Sequence, residues 1–298
     1  MIARALIALL SLAFLGGGTF ARAADTAYPG RNGSLLFLRD VGGSAAPGSH
    51  IFVAAPDGTG LHDVTPAGFV DIRGAAWSPD GTRIAFSGLR ESRNGVAIYL
   101  INADGSGFGQ VTPGDHRDAV PTWSPDGKSL AFTSFDRGLL QIFRSRLDGS
   151  GRKVLSNQTT NCGDAKWSPA GGSIVFQCEL AGGLVIMRAD GSRERRLASG
   201  PTRRTDYWPA WSPDGGTILF TRGAWTYRVR PDGRGLARSV RAAGQRAISP
   251  DGRWMAVTRT LDDQQEVWVM RRDGRDARKI TATVGLNEYA PDWQPLRP

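Results

Sequence analysis

This 298-residue sequence has only two cysteines, three histidines and four lysines. The histidines His50, His62 and His116 fall in different parts of the chain, which does not suggest a histidine-ligated metal centre. No G-x-S-x-G string occurs, so the nucleophile elbow of an α/β-hydrolase is missing, and no C-x-x-C spacing marks a redox motif. The serines have no base beside them in the repeat described below. The apolar run Ala5 to Leu15 is shorter than the roughly twenty residues that cross a bilayer as a helix, and no later stretch approaches that length.

What the beginning of the chain does have is an export pattern. Arg4 supplies a basic start, the apolar run follows, and Ala21-Arg22-Ala23 fits a small-x-small cleavage site, so residues 1–23 are expected to be a signal peptide and 24–298 one mature domain. Thirty-nine glycines and 17 prolines alongside 9% aromatics suit many tight turns between strands that still bury large side chains.

Charge is unevenly spread. Residues 24–187 hold 14 Lys+Arg against 15 Asp+Glu, whereas 188–298 hold 21 against 13. A basic later half suits an anionic envelope component or an acidic protein, or is simply a solvated surface. Nucleic acid is not expected, because aromatic and basic residues are not interleaved in any recognisable module.

A repeat organises the rest. WSPDG begins at Trp77, Trp123 and Trp211, appears as WSPAG at Trp167 and ISPDG at Ile248, and ends as WQP at Trp293. Asp-Gly recurs between these strings at Asp57, Asp104, Asp148, Asp190, Asp232 and Asp273, which makes six copies of each signature. Asp-Gly is a turn pair, since Gly tolerates φ > 0 and Asp bonds its own backbone two residues on, and Pro in SPDG suits the first corner. These acids are turn formers before they are ligands.

Between the turns the pattern alternates as half-buried strands do. Ile84 and Phe86, Leu130 and Phe132, Ile174 and Phe176, Ile218 and Phe220, and Met255 and Val257 repeat one strand face, and Phe52, Tyr99, Phe143, Val185, Tyr227 and Trp268 mark a further strand. Four strands in a unit of about 44 residues make a propeller blade, so the expected fold is all-β, a six-bladed β-propeller of four-stranded antiparallel blades. The last unit stops at Trp293 after one strand, and the three missing strands lie near residues 33–65. A clasp of both termini would close the ring and leave no open sheet edge there.

The strings WSPDG, IAF, IYLINADGSG and VT resemble the TolB-like propeller repeat over nearly all of residues 31–295, most closely in four units. They are also similar to the propellers of prolyl-oligopeptidase-type peptidases, but those enzymes need a hydrolase domain for which this chain has neither motif nor room. The resemblance implies a periplasmic or secreted docking scaffold. It also implies an α/β domain ahead of the propeller, for which the few residues between Ala24 and the first strand leave no space.

Folding the hairpin about its SPAG turn sets Cys162 opposite Cys178. In an oxidising compartment this favours a disulfide, the alternatives being two free thiols or a redox pair. Residues four to six before each Trp position begin the innermost strands and would ring one channel mouth: Asp71, Arg73, Arg117, Asp118, Asp206, Tyr207, Glu288 and Tyr289, with His116 just outside. They vary between units as a grafted site would, or they merely bond neighbouring blades. The expected function is a monomeric, non-enzymatic binding scaffold for a protein or anionic envelope component, with no cofactor, no metal and no membrane span. The alternative is a lyase or lactonase using a cation held by Asp118, Asp206 and Glu288 in the channel.

Overall fold

The computed structural model describes residues 28–41, 48–91, 95–136, 138–179, 183–197, 206–281, 283 and 285–296; the expected signal segment lies outside them. The first blade contains β1 (Arg31–Val41), β2 (Gly48–Ala54) and β3 (His62–Asp63). The second is β4 (Phe69–Trp77), β5 (Arg83–Arg90), β6 (Val96–Asn102) and β7 (Gly109–Gln110). The third is β8 (Ala119–Trp123), β9 (Ser129–Asp136), β10 (Leu139–Arg146) and β11 (Lys153–Val154). The fourth is β12 (Cys162–Trp167), β13 (Ser173–Cys178), β14 (Gly183–Arg188) and β15 (Arg195–Arg196). The fifth is β16 (Asp206–Trp211), β17 (Ile218–Arg222), β18 (Trp225–Val229) and β19 (Ala237–Arg238). The sixth is β20 (Arg246–Ile248), β21 (Trp254–Leu261), β22 (Gln264–Arg271) and β23 (Arg278–Lys279).

The final strand, β24 (Glu288–Leu296), joins the first blade, where it pairs with β1 from Arg31↔Leu296 to Arg39↔Glu288. This is the clasp expected from the truncated last unit. Each inner strand packs on the next around the ring, β24 on β4 and finally β20 on β24, which closes the circle. Among the described residues no helix is long and apolar enough to cross a membrane.

Local chemistry explains the blade. In the SPDG turns the serine hydroxyl donates to the aspartate two residues on, as in Ser78 to Asp80 at 2.6 Å, and accepts the N–H five residues on, as from Arg83 at 2.9 Å. The Asp-Gly aspartates accept the N–H two residues on at 2.8–3.0 Å, from Thr59, Ser106, Ser150, Ser192, Arg234 and Arg275. Bonds from the side-chain hydroxyls of Thr59, Ser106, Ser150 and Ser192, and then these N–H bonds, favour the charged carboxylate and hold Asp57, Asp104, Asp148 and Asp190 below their ordinary value.

Packing repeats with the same register. The second-strand residue always faces the third-strand marker: Phe37↔Phe52, Phe86↔Tyr99, Phe132↔Phe143, Phe176↔Val185, Phe220↔Tyr227 and Val257↔Trp268. Four of these pairs are stacked rings at 5.5–6.3 Å, a geometry that adds to simple burial. The outermost strands are only two residues long, which leaves little free edge for another chain to pair with.

Candidate functional site

An inner strand runs from one face of the ring to its SPDG turn on the other, so the residues at its start line the mouth opposite those turns. Asp71 and Arg73 lie on β4, Asp206 and Tyr207 begin β16, Glu288 and Tyr289 begin β24, and His116, Arg117 and Asp118 lead into β8.

The four carboxylates do not converge. Asp71 accepts from Arg73 at 2.8 Å and from Ser49 Oγ at 3.1 Å. Asp118 faces Arg152 at 3.2 Å, and Glu288 accepts from Arg39 Nε at 2.8 Å. Asp206 takes two N–H donors from Arg222, both at 2.6 Å. Burial pushes the Asp206 carboxyl up and Arg222 pulls it back, while the bonds to Asp206 raise Arg222 itself. The fork geometry and the always-charged guanidinium hold this pair ionised. Among the described residues no three His, Cys, Asp or Glu are grouped closely enough to hold a metal ion. Asp118, Asp206 and Glu288 are therefore not brought together, and each serves an arginine.

Burial then divides the candidates. Asp71, Asp118, Asp206, Glu288 and Tyr289 are buried, Tyr289 donating its hydroxyl to Asp40 at 3.0 Å. Arg73, His116, Arg117 and Tyr207 remain partly open to solvent, joined by Trp208, which lies against Tyr207 at 5.8 Å, and by the exposed Phe135 beneath the Arg117 guanidinium at 5.7 Å. His116 Nε2 is 3.6 Å from Asp115. The accessible mouth thus presents Arg73, Arg117 and aromatic rings, with the strand carboxylates buried behind them and Asp115 exposed beside His116.

Sequence reasoning missed a second layer. Three residues before the Trp position, Val120, Asp164, Trp208 and Ala290 all have φ of 54–55°, and the ladder slips beside each of them. The N–H exposed at three of these bulges is captured by the preceding blade: Val120 by Ser87 at 3.2 Å, Trp208 by Gln177 at 3.1 Å and Ala290 by Gln245 at 2.7 Å. Arg246, fully buried, donates to the Trp208 carbonyl at 3.2 Å.

One residue before the Trp position stand Ala76, Thr122, Lys166, Ala210, Ala247 and Asp292, all buried. The two charged residues among small ones were the legible signal. Lys166 Nζ lies 2.8 Å from Asp164. Burial raises Asp164 against the pull of Lys166, and it pushes Asp292 well above the ordinary value despite the Trp77 N–H at 2.8 Å and the Lys166 charge. Cys162 and Cys178 are bonded across β12 and β13, with Cα atoms 4.2 Å apart, as the hairpin register required.

Comparison with known proteins agrees with this architecture. An uncharacterized protein of Agrobacterium fabrum, Atu1656, is 38% identical over 74 residues, 25% of each chain. The Tol-Pal system protein TolB of Xanthomonas campestris is 34% identical over 88 residues, 29% of this chain and 19% of its own. Each match thus spans a quarter or less of the relative. The crystal structure of TolB from Acinetobacter baumannii superposes with a TM-score of 0.74 at 20% identity, covering 88% of this chain and 67% of that one, a likeness of fold. The family described as the TolB beta propeller domain matches residues 67–244, more than half of the sequence, and this chain belongs to that family.

Proposed function

We propose that this propeller is an exported, non-catalytic scaffold that holds a segment of a protein partner at its channel mouth. The observation that carries this reading is the division of the mouth. Its strand carboxylates Asp71, Asp118, Asp206 and Glu288 are each buried against an arginine, while Arg117, Tyr207 and Trp208 stay accessible. Arg, Tyr and Trp are the side chains that most often dominate protein recognition energetics. A relative whose name places it in the Tol-Pal system is consistent with a docking role in the envelope.

A photo-crosslinking side chain at Tyr207, in protein expressed in the native envelope, should give one dominant adduct that Arg117→Ala weakens. Diffuse adducts, or an adduct indifferent to Arg117→Ala, would remove the mouth as the site. A stoichiometric divalent ion in the purified protein would overturn the non-catalytic part. Mature protein starting at Ala24 is expected in the exported fraction.

A further inference from the structure

The positive charge of the later blades is focused on one structural position. In every blade the third-strand marker faces a fourth-strand residue in the same register: Phe52↔Asp63, Tyr99↔Gln110, Phe143↔Val154, Val185↔Arg196, Tyr227↔Arg238 and Trp268↔Lys279. Blades one to three thus present an acid, an amide and a valine there, and blades four to six present three cations. The hairpins that carry these strands show the same break. Residues 52–63, 99–110 and 143–154 hold four Lys+Arg against four Asp+Glu, whereas 185–196, 227–238 and 268–279 hold thirteen against five.

These hairpins form the outer wall of the ring, away from the mouth. Their aspartates Asp190, Asp232 and Asp273 are engaged by their own turn N–H groups. Lys279 is bonded to Glu266, and Arg275 lies 3.8 Å from Asp273. Arg193, Arg196, Arg234 and Arg238 are exposed and form no ion pair among the described residues. Arg238 stacks on Trp225 at 4.2 Å, which steadies its guanidinium. Twelve of the thirteen cations are arginine, the side chain whose planar fork matches a carboxylate with two donors.

We propose that this half-circumference of the wall is a docking strip for an extended acidic glycan chain, recognised through its carboxylates. The charge follows a convex wall across three blades. A planar bilayer or a rigid globular partner meets such a wall over a short arc, and only a flexible chain reaches all three hairpins. Leu236 is the one large hydrophobic residue exposed in these hairpins among the described residues, so the apolar centre of a protein interface is missing. Tyr227 and Trp268, half-buried across the ladder from Arg238 and Lys279, already carry the guanidinium groups of Arg222 at 5.1 Å and Arg259 at 4.6 Å, so contact with the glycan falls to the exposed arginines.

The test uses the full chain on surfaces coated with long alginate, a polyuronate. Binding should weaken steeply with salt and with shortening to the disaccharide, because the strip works through many weak contacts. Arg193→Gln/Arg196→Gln/Arg234→Gln should weaken it about tenfold, from three exposed pairs of modest strength. Arg144→Gln/Arg146→Gln/Lys153→Gln, which removes the same charge from blade three, should change it little, and so should Arg117→Ala at the mouth. Equal loss in the two triple variants, or disaccharide binding as tight as the polymer, overturns the proposal. So does tighter binding to phosphatidylglycerol vesicles or duplex DNA, or no binding at low salt. Melting temperature, followed for each variant, separates lost contacts from lost folding.

Discussion

Trp211 donates its indole N–H to the backbone carbonyl of Lys166 in the preceding blade at 3.1 Å, and Trp123 makes the same bond to Ala76. At these two positions the repeated tryptophan is therefore a latch between blades as well as core. Trp123→Phe and Trp211→Phe should each lower stability by about 1–3 kcal/mol, since a buried carbonyl loses its donor. Trp77, whose buried indole nitrogen has no hydrogen-bond partner among the described residues, should tolerate Phe better. Urea unfolding of the three variants compares them directly.

The Asp-Gly glycines are where one blade rests on the previous one. A Cβ on Gly149, at φ 80°, would meet the Val111 carbonyl oxygen at 2.3 Å, whereas Gly151, at φ 66°, has nothing within 4 Å. Gly151→Ala should cost only the left-handed strain, about 1–2 kcal/mol. Gly149→Ala should cost clearly more, because backbone of the third blade must move off the second. Thermal melts of the pair test this order.

The disulfide between Cys162 and Cys178 closes a loop with a sequence separation of 16. Chain-entropy reasoning assigns such a loop about 3 kcal/mol. Cys162→Ala/Cys178→Ala should unfold at correspondingly lower urea while keeping its β-sheet circular dichroism, and added reductant should have no further effect on it.

Acid and neutral stability should respond oppositely to two sets of aspartates. An acid raised by folding, such as Asp292, favours the fold below its unfolded value of 3.8, and that contribution is lost as pH rises through the folded value. Asp292→Asn keeps the neutral shape, so it should raise the melting temperature near neutral pH, with the gain fading in acid. The turn aspartates Asp57 and Asp104 have lowered values; their contribution is present above 3.8 and lost as pH falls through the folded value. Both wild type and variant should therefore still weaken in strong acid. A melting series from acid to neutral pH that shows no gain for Asp292→Asn at the neutral end would contradict the buried-charge reading.

Much of the fold was legible because its signals are local. Ser78 with Asp80, or Asp57 with Thr59, closes a turn using atoms two residues apart, so the sequence string already contains the bond. The clasp showed as a missing remainder after Trp293, and the disulfide as a hairpin offset. The bulges did not show, because Val120, Asp164, Trp208 and Ala290 share a backbone conformation and no side-chain chemistry. Nor did the fate of Glu288 and Asp118, since their arginines, Arg39 and Arg152, arrive from separate stretches of chain, whereas Arg222 faces Asp206 at the same hairpin offset as the two cysteines.

By itself the sequence determined the six-unit repeat, the turn chemistry, the closure of the ring and the opposed cysteines, because each follows from residues whose spacing along the chain sets their meeting. Only the tertiary structure decided that the mouth hides its carboxylates and shows Arg117, Tyr207 and Trp208, and that the basic excess gathers on one wall. Those outcomes depend on which side chains neighbouring strands and blades bring within a few ångströms, and on which of them that packing leaves in contact with water.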